Sequence, residues 1–426
     1  MAAPISRRTV LATGIAAAGL SIQGVTAYAH DRQPAGTRFR LDAQVLDGGE
    51  QVTAITLDTS RIGPIDPQSL TTDTFTVHAK ATSPIPVPAG DQIFSEYDLD
   101  RPVTGARLDH HGNVVLDLSY GEGQVGGGTL GYLANEGRNL LLDLDYTITQ
   151  NAPLRLRNHR SVTITEFVQG RLSDPEVEAF SYHVSRSGMN YRLYSPRPGG
   201  GRERSTGRGK RPLIIWLHGG GEGGLLSAGY YDNESLLRAN RGALGFATPE
   251  AQRIFGGAYV VAPQSQSFWL EDGPRFAPQV QEIIDDLVRR YPIDRNRIYL
   301  AGCSNGGYMT MEMTTLYPDE FAAAVPICGV VASLTPGGSP LITDDQLSRI
   351  STSTWLIASK DDDTVPPAAN TIHAHDLIPG SLMSLYDHVI WDGYQFPGHW
   401  SWIYVARNDP SVDGTHIWQW MAAQRR

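Results

Sequence analysis

Between residues 37 and 170 apolar and polar positions alternate in short runs, as in Phe39-Arg40-Leu41-Asp42-Ala43 and Phe75-Thr76-Val77-His78-Ala79, and again over 115–118 and 142–148. A period of two puts successive side chains on opposite faces, the mark of half-buried strands. Turn residues punctuate the runs at Asp47-Gly48-Gly49, between Pro84 and Pro88, and at Gly126-Gly127-Gly128. With no helix-length apolar pattern among them, this region is predicted to be an all-β sandwich of roughly seven strands. After a turn-rich stretch at 170–175 the pattern changes. Residues 180–184 and 191–194 read as two opening antiparallel strands around Ser187-Gly188. Continuous apolar runs then follow at Pro212-Leu213-Ile214-Ile215-Trp216-Leu217, Arg297-Ile298-Tyr299-Leu300-Ala301 and Trp355-Leu356-Ile357-Ala358-Ser359. Val280, Ile283, Ile284, Leu287 and Val288 form one stripe of a helix between them. Strands without alternation are buried on both faces, so this half is predicted to be a mostly parallel sheet with helices on both sides.

The ends and the composition refine this picture. Ser6-Arg7-Arg8-Thr9-Val10-Leu11, a short apolar core over 11–20 and Ala27-Tyr28-Ala29 have the form of a twin-arginine signal peptide with its cleavage site. The predicted organisation is therefore a leader over 1–29, a β-domain over 30–170 and a second domain over 171–426, with the product exported and carrying no membrane anchor once the leader is removed. The chain of 426 residues has 41% hydrophobic and 19% charged residues, ordinary for globular protein. Its formal net charge is −10, and removal of 1–29, which holds two arginines and no acids, takes it to −12. That balance argues against nucleic acid as a partner. Arg202, Arg204, Arg208, Lys210 and Arg211 cluster among glycines and read as a solvated loop. His110-His111 lack a third ligand at metal-binding spacing. Cys303 and Cys328 each end a predicted strand, so a disulfide and a pair of buried thiols both stand as readings.

Candidate chemistry gathers in the second half. Gly302-Cys303-Ser304-Asn305-Gly306 lies where a predicted strand meets a predicted helix, the context of a G-x-S-x-G nucleophile elbow. Upstream, the buried run at 212–217 leads into His218-Gly219-Gly220-Gly221, the form of an oxyanion loop whose backbone N–H groups face a developing negative oxygen. Gly220 and Asn305 are the expected donors. In this chain order an acid and then a histidine should follow the serine. Asp361, Asp362 and Asp363 leave the strand at 355–359 in a loop closed by Val365-Pro366, and His399 stands in Pro397-Gly398-His399-Trp400 before the last helix-like segment. These residues point to a serine hydrolase that needs no cofactor or metal, with Ser304 as nucleophile and His399 as general base.

Taken with Val261-Ala262-Pro263-Gln264, the run 293–299, the run 321–329 and the Ser401-Trp402 that follows His399, the chain after Gly170 resembles secreted carboxylesterases of the dienelactone-hydrolase and predicted-peptidase group, prolyl-oligopeptidase-like members of the α/β-hydrolases. The resemblance implies an α/β-hydrolase fold, an immunoglobulin-like character for the preceding sandwich, and Asp362, four residues before Pro366, as the acid. Cys303 and Asn305 depart from the residue types common in that group, although the backbone amide of Asn305 survives the change. The resemblance favours ester over peptide substrates; a peptidase stays open, as do polyesters, feruloylated or acetylated glycans and lipid esters. Residues 264–269, Glu222 and Tyr230 fall in loops that this fold brings over the site, with Trp269 the expected substrate contact. A non-catalytic secreted protein that binds polymer through its β-domain is the reading from another class.

Overall fold

The computed structural model describes residues 36–196 and 209–426; the expected leader, the start of the mature chain at His30, and Arg202, Arg204 and Arg208 lie outside these. Gly36–Arg426 form one compact unit.

The N-terminal strands are β1 (Thr37–Leu46), β2 (Gly49–Leu57), β3 (Phe75–Thr82), β4 (Tyr97–Arg101), β5 (Val103–Leu108), β6 (Val114–Leu118), β7 (Leu130–Leu133), β8 (Arg138–Leu141), β9 (Asp143–Gln150) and β10 (Phe167–Ser173). They make a five-stranded sheet in the order β10-β1-β2-β6-β5 and a three-stranded sheet in the order β9-β3-β4. The alternation read from the sequence is the packing: Phe39 and Leu41 of β1 point inward with Val52, Ile55 and Leu57, and meet Phe75, Val77 and Ala79 of β3 in one buried cluster. A hairpin of β7 and β8 stands apart from both sheets, pairing Leu133 with Arg138. Strand β10 runs on to Ser173, and Asp174 caps the short helix Pro175–Glu178, so the junction falls about one turn beyond the expected 170/171.

The second half is an eight-stranded sheet, with strands β11 (Phe180–Val184), β12 (Asn190–Tyr194), β13 (Arg211–Leu217), β14 (Tyr259–Gln264), β15 (Ile293–Cys303), β16 (Ala323–Ile327), β17 (Ser353–Ser359) and β18 (Leu382–Tyr386). Their order is β11-β12-β14-β13-β15-β16-β17-β18. The first two pair antiparallel and the rest run parallel. The unbroken apolar run of β13 is explained by its two covered faces. Leu213, Ile215 and Leu217 pack with Val280, Ile283, Ile284 and Leu287 of helix α1 (Gly273–Arg290), while Ile214 and Trp216 pack on the other face with Phe246 and Trp418. Helix α2 (Asn305–Leu316) follows β15 directly. Among the described residues no helix is long and apolar enough to cross a membrane.

Sandwich and sheet are joined by one buried ion pair and by further polar contacts. Glu50 of β2 meets Arg238, Arg407 grips Asp47 at 2.8 and 3.0 Å, and Arg241 donates to Val45 O at 2.7 Å while pairing with Glu176.

Candidate active site

Strand β15 delivers Ser304 at φ 54° and ψ −114°, outside the regions that a residue with a side chain prefers, and Asn305 opens α2 at once. The turn that holds this strain is crowded. A Cβ on Gly302 would come within 2.5 Å of Gly306 O, and one on Gly306 within 2.6 Å of His218 O. The Ser304 N–H donates to Ile327 O at 2.8 Å, which ties the elbow to β16. Ser304 itself stays partly exposed and lines a cavity of about 1130 Å³.

The oxyanion loop leaves β13 beside it. Gly220 is the first residue of a short 3-10 turn and Asn305 the first residue of α2. Helical geometry offers no acceptor to N–H groups in that position, so both are free for an anionic oxygen. The two are neighbours, since a Cβ on Gly220 would stand 2.9 Å from Asn305 Nδ2. The loop is fastened by His218. Its Nε2 accepts from Ser265 N–H at 3.0 Å, which leaves Nδ1–H to donate to Gly219 O at 2.6 Å, and burial holds its pKa down at about 4, so the ring is neutral. Burial also pushes Glu222, at the end of the turn, up to about 7.

Of the three consecutive aspartates, Asp362 meets the histidine. It is buried, its Oδ1 accepts from Thr364 N and Val365 N at 3.0 and 2.8 Å, and its Oδ2 accepts from His399 Nδ1 at 2.8 Å. Asp361 is turned aside to Ser359 and to His388 Nδ1, and Asp363 faces solvent. Burial opposes charge on the His399 ring, but Cys328 and Asp362 outweigh it and raise its pKa to about 10. The other histidines after the elbow are held elsewhere: His373 by Asp344, His375 by Ser381 and His416 by Asn408 O.

One expectation needs correction. Trp269 is fully buried and is no substrate contact; its indole N–H donates to His218 O at 3.1 Å and its ring packs edge-on against Phe276, so it braces the oxyanion loop from behind. The residue before it, Phe268, lines the cavity instead. Of the two readings of the cysteines, the structure has the pair of buried thiols: Cys303 lies against Gly219 and Cys328 against His399, with the two sulfurs within electrostatic reach of each other. Tyr230, a second candidate from the loops, accepts from Leu141 N–H at 2.7 Å and donates to Asp232, which makes it a strut between the halves.

The sandwich side of the cavity was not legible in the sequence. Phe94, Tyr132 and Asn139 line it together with Ser304 and His399. Asn139 of β8 donates to Glu222 Oε1 at 3.3 Å, while the neighbouring Arg138 donates to Gly224 O at 3.1 Å and lays its guanidinium 3.3 Å over the Phe268 ring. Strands as short as β7 and β8 carry too little periodicity to signal such a role.

Comparison with known proteins relates the chain to hydrolases and esterases. A family model described as the prolyl oligopeptidase family matches residues 265–345. Poly(3-hydroxyalkanoate) depolymerase C of Paucimonas lemoignei is 37% identical over 84 residues, covering 17% of this chain and 20% of that protein. Acetylxylan esterase A of Emericella nidulans is 34% identical over 68 residues, covering 16% and 22%. The chain thus aligns with only about a fifth of the length of these curated relatives. A solved thermostable esterase superposes with a TM-score of 0.72 at 25% identity, over 91% of this chain and 99% of that one. The second half accordingly has the α/β-hydrolase fold, and the chain is similar to an esterase along nearly its whole described length.

Proposed function

We propose that this chain is an exported serine esterase that cleaves carboxylic esters through an acyl-enzyme, with Ser304, His399 and Asp362 as its triad. The observation that carries the reading is that His399, held by the 2.8 Å hydrogen bond between its Nδ1 and Asp362 Oδ2, lines the same cavity as Ser304, a serine at positive φ. His399 takes the Ser304 proton as the hydroxyl attacks the ester carbonyl. The backbone N–H groups of Gly220 and Asn305 receive the oxyanion, each worth roughly 3 kcal/mol of barrier. Asp362 fixes the tautomer that leaves Nε2 free to accept, and steadies the imidazolium that forms. His399 then protonates the departing alcohol, and water repeats the sequence on the acyl-enzyme. Export rests on the twin-arginine pattern of residues 1–29. The immunoglobulin-like label for the sandwich rests on its two packed sheets and on the family resemblance.

The size of the cavity and its second wall from the sandwich favour an ester carried on a bulky or polymeric molecule, and relatives named as a polyhydroxyalkanoate depolymerase and an acetylxylan esterase support a polymeric substrate without fixing the size of the acyl group. Peptide cleavage is the second reading, favoured by the prolyl oligopeptidase match over 265–345. Hydrolysis of p-nitrophenyl esters of increasing acyl length, by the chain and by Ser304→Ala, tests the assignment. Turnover that falls by several orders of magnitude in Ser304→Ala is the expected result. No turnover, or equal turnover in both proteins, overturns it and turns attention to peptides or to polymer binding by the sandwich.

A further inference from the structure

We propose that Cys328, Asp362 and His399 form a binding site for a thiophilic divalent cation of the zinc type, whose occupancy removes the base from catalysis. The thiol sulfur, one carboxylate oxygen and one imidazole nitrogen all lie within 4.8 Å of one another. Cys328 is fully buried and Asp362 is 2% exposed, so two of the three groups are already withdrawn from bulk water. His399 lines the large cavity, which gives the ion an entry path and leaves a fourth position open to water or substrate. A mixed sulfur, nitrogen and oxygen set of this kind suits zinc or cadmium and is a poor match for magnesium or calcium, which prefer oxygen alone.

The frame around the site is fixed. Cys328 follows β16 at φ 40° with its N–H donating to Ile357 O at 2.8 Å. Asp362 Oδ1 is held by two backbone N–H groups, which leaves Oδ2 to turn toward an ion. In a tetrahedral zinc site neighbouring ligand atoms stand about 3.3–3.6 Å apart. The 2.8 Å Nδ1–Oδ2 contact therefore opens by roughly half an ångström, while the sulfur closes in by rotation about its own side chain. On binding, the thiol gives its proton to solvent and the ring proton moves from Nδ1 to Nε2 by exchange with solvent, so the thiolate, the carboxylate and the Nδ1 lone pair enter the coordination sphere and Nε2 carries the proton. With its hydrogen bond to Asp362 lost and a lone pair committed to the ion, His399 no longer serves Ser304.

Metal binding stands independently of the ester-hydrolase reading; only the inhibition rests on it. Cadmium titrated into the full chain is followed by the ultraviolet absorption of the cadmium–thiolate bond, beside ester turnover in increasing zinc. One equivalent of cadmium is expected to give the absorption in the parent and in Cys303→Ser but not in Cys328→Ser, with Cys328→Ala as the replacement where the serine variant fails to fold. The zinc concentration for half inhibition, each protein compared with its own metal-free rate, should rise at least about tenfold in Cys328→Ser, while magnesium leaves turnover unchanged. Absence of the absorption in the parent, its persistence in Cys328→Ser, or equal zinc sensitivity of both proteins overturns the proposal. A parent that turns over no ester would instead count against the function proposed above, and the cadmium signal would still decide the metal site.

Discussion

His399 sits in an environment that pulls in two directions: burial disfavours the imidazolium, whereas Cys328 and Asp362 favour it and prevail, so the ring titrates above its ordinary 6.5. A general base works only when neutral. Activity is therefore lost as pH falls through that raised value, and the ascending limb of kcat/KM should lie on the alkaline side of an ordinary imidazole. Asp362→Asn removes part of the raising influence. It should move the limb to lower pH and, by releasing the wrong tautomer, cut kcat by about 10⁴-fold. A pH–rate profile of both proteins checks this, and a parent limb at or below the usual imidazole range would contradict it. At this scale much of the site was legible. Ser304, His399 and the glycine loop follow from motif and chain order, because their chemistry requires fixed residue types at fixed local spacing. The choice among Asp361, Asp362 and Asp363 was not legible from spacing alone, since it depends on which carboxylate the two backbone donors at Thr364 and Val365 capture. Phe268 and Trp269 were exchanged for the same kind of reason. Two adjacent aromatics in a loop face different ways, and only the hydrogen bond from Trp269 to His218 O fixes which one is buried.

At the scale of elements, elbow and oxyanion loop are a single packed object. The carbonyls of Leu217 and His218, where β13 ends and the loop begins, press against Gly306 at the start of α2. Gly306→Ala would place a methyl group 2.6 Å from His218 O and closer still to Leu217 O. Neither oxygen belongs to a flexible side chain, so the backbone has to yield. A loss of about 3 kcal/mol in stability is expected, together with a fall in kcat that exceeds any change in KM, because the same displacement carries the Gly220 donor away from the oxyanion. Denaturant unfolding and steady-state kinetics on the variant test both halves; unchanged kcat with lowered stability would show that loop and elbow move separately. The long parallel strands were readable as unbroken apolar runs because helices cover both faces. The β7–β8 hairpin was not, because four-residue strands leave no periodicity and its importance comes from Arg138 and Asn139 reaching a loop some 80 residues away.

At the scale of the molecule, the change in hydrophobic pattern near residue 170 marks two kinds of architecture without revealing the buried contacts that join them. Glu50 and Arg238 are 188 residues apart in sequence, and nothing local in either stretch announces the other. Burial alone pushes Glu50 up toward its neutral form, and Arg238 works against that shift. A buried pair of this kind is costly to break from one side, because the remaining charge stays out of water without its partner. Arg238 also holds Glu234, which keeps part of its charge compensated in a variant. Glu50→Gln should therefore cost about 3 kcal/mol, the lower end for losing one member of a buried pair. The parent should unfold in one calorimetric transition, with sandwich and sheet melting together. The variant should melt earlier and lose ester turnover along with stability, since Glu50 and its neighbours Gly49 and Gln51 line the same cavity as Ser304. If the parent instead shows two resolved transitions, or Glu50→Gln leaves both melting and turnover unchanged, the sandwich is an appended domain, and the wall it gives the cavity does not depend on this ion pair.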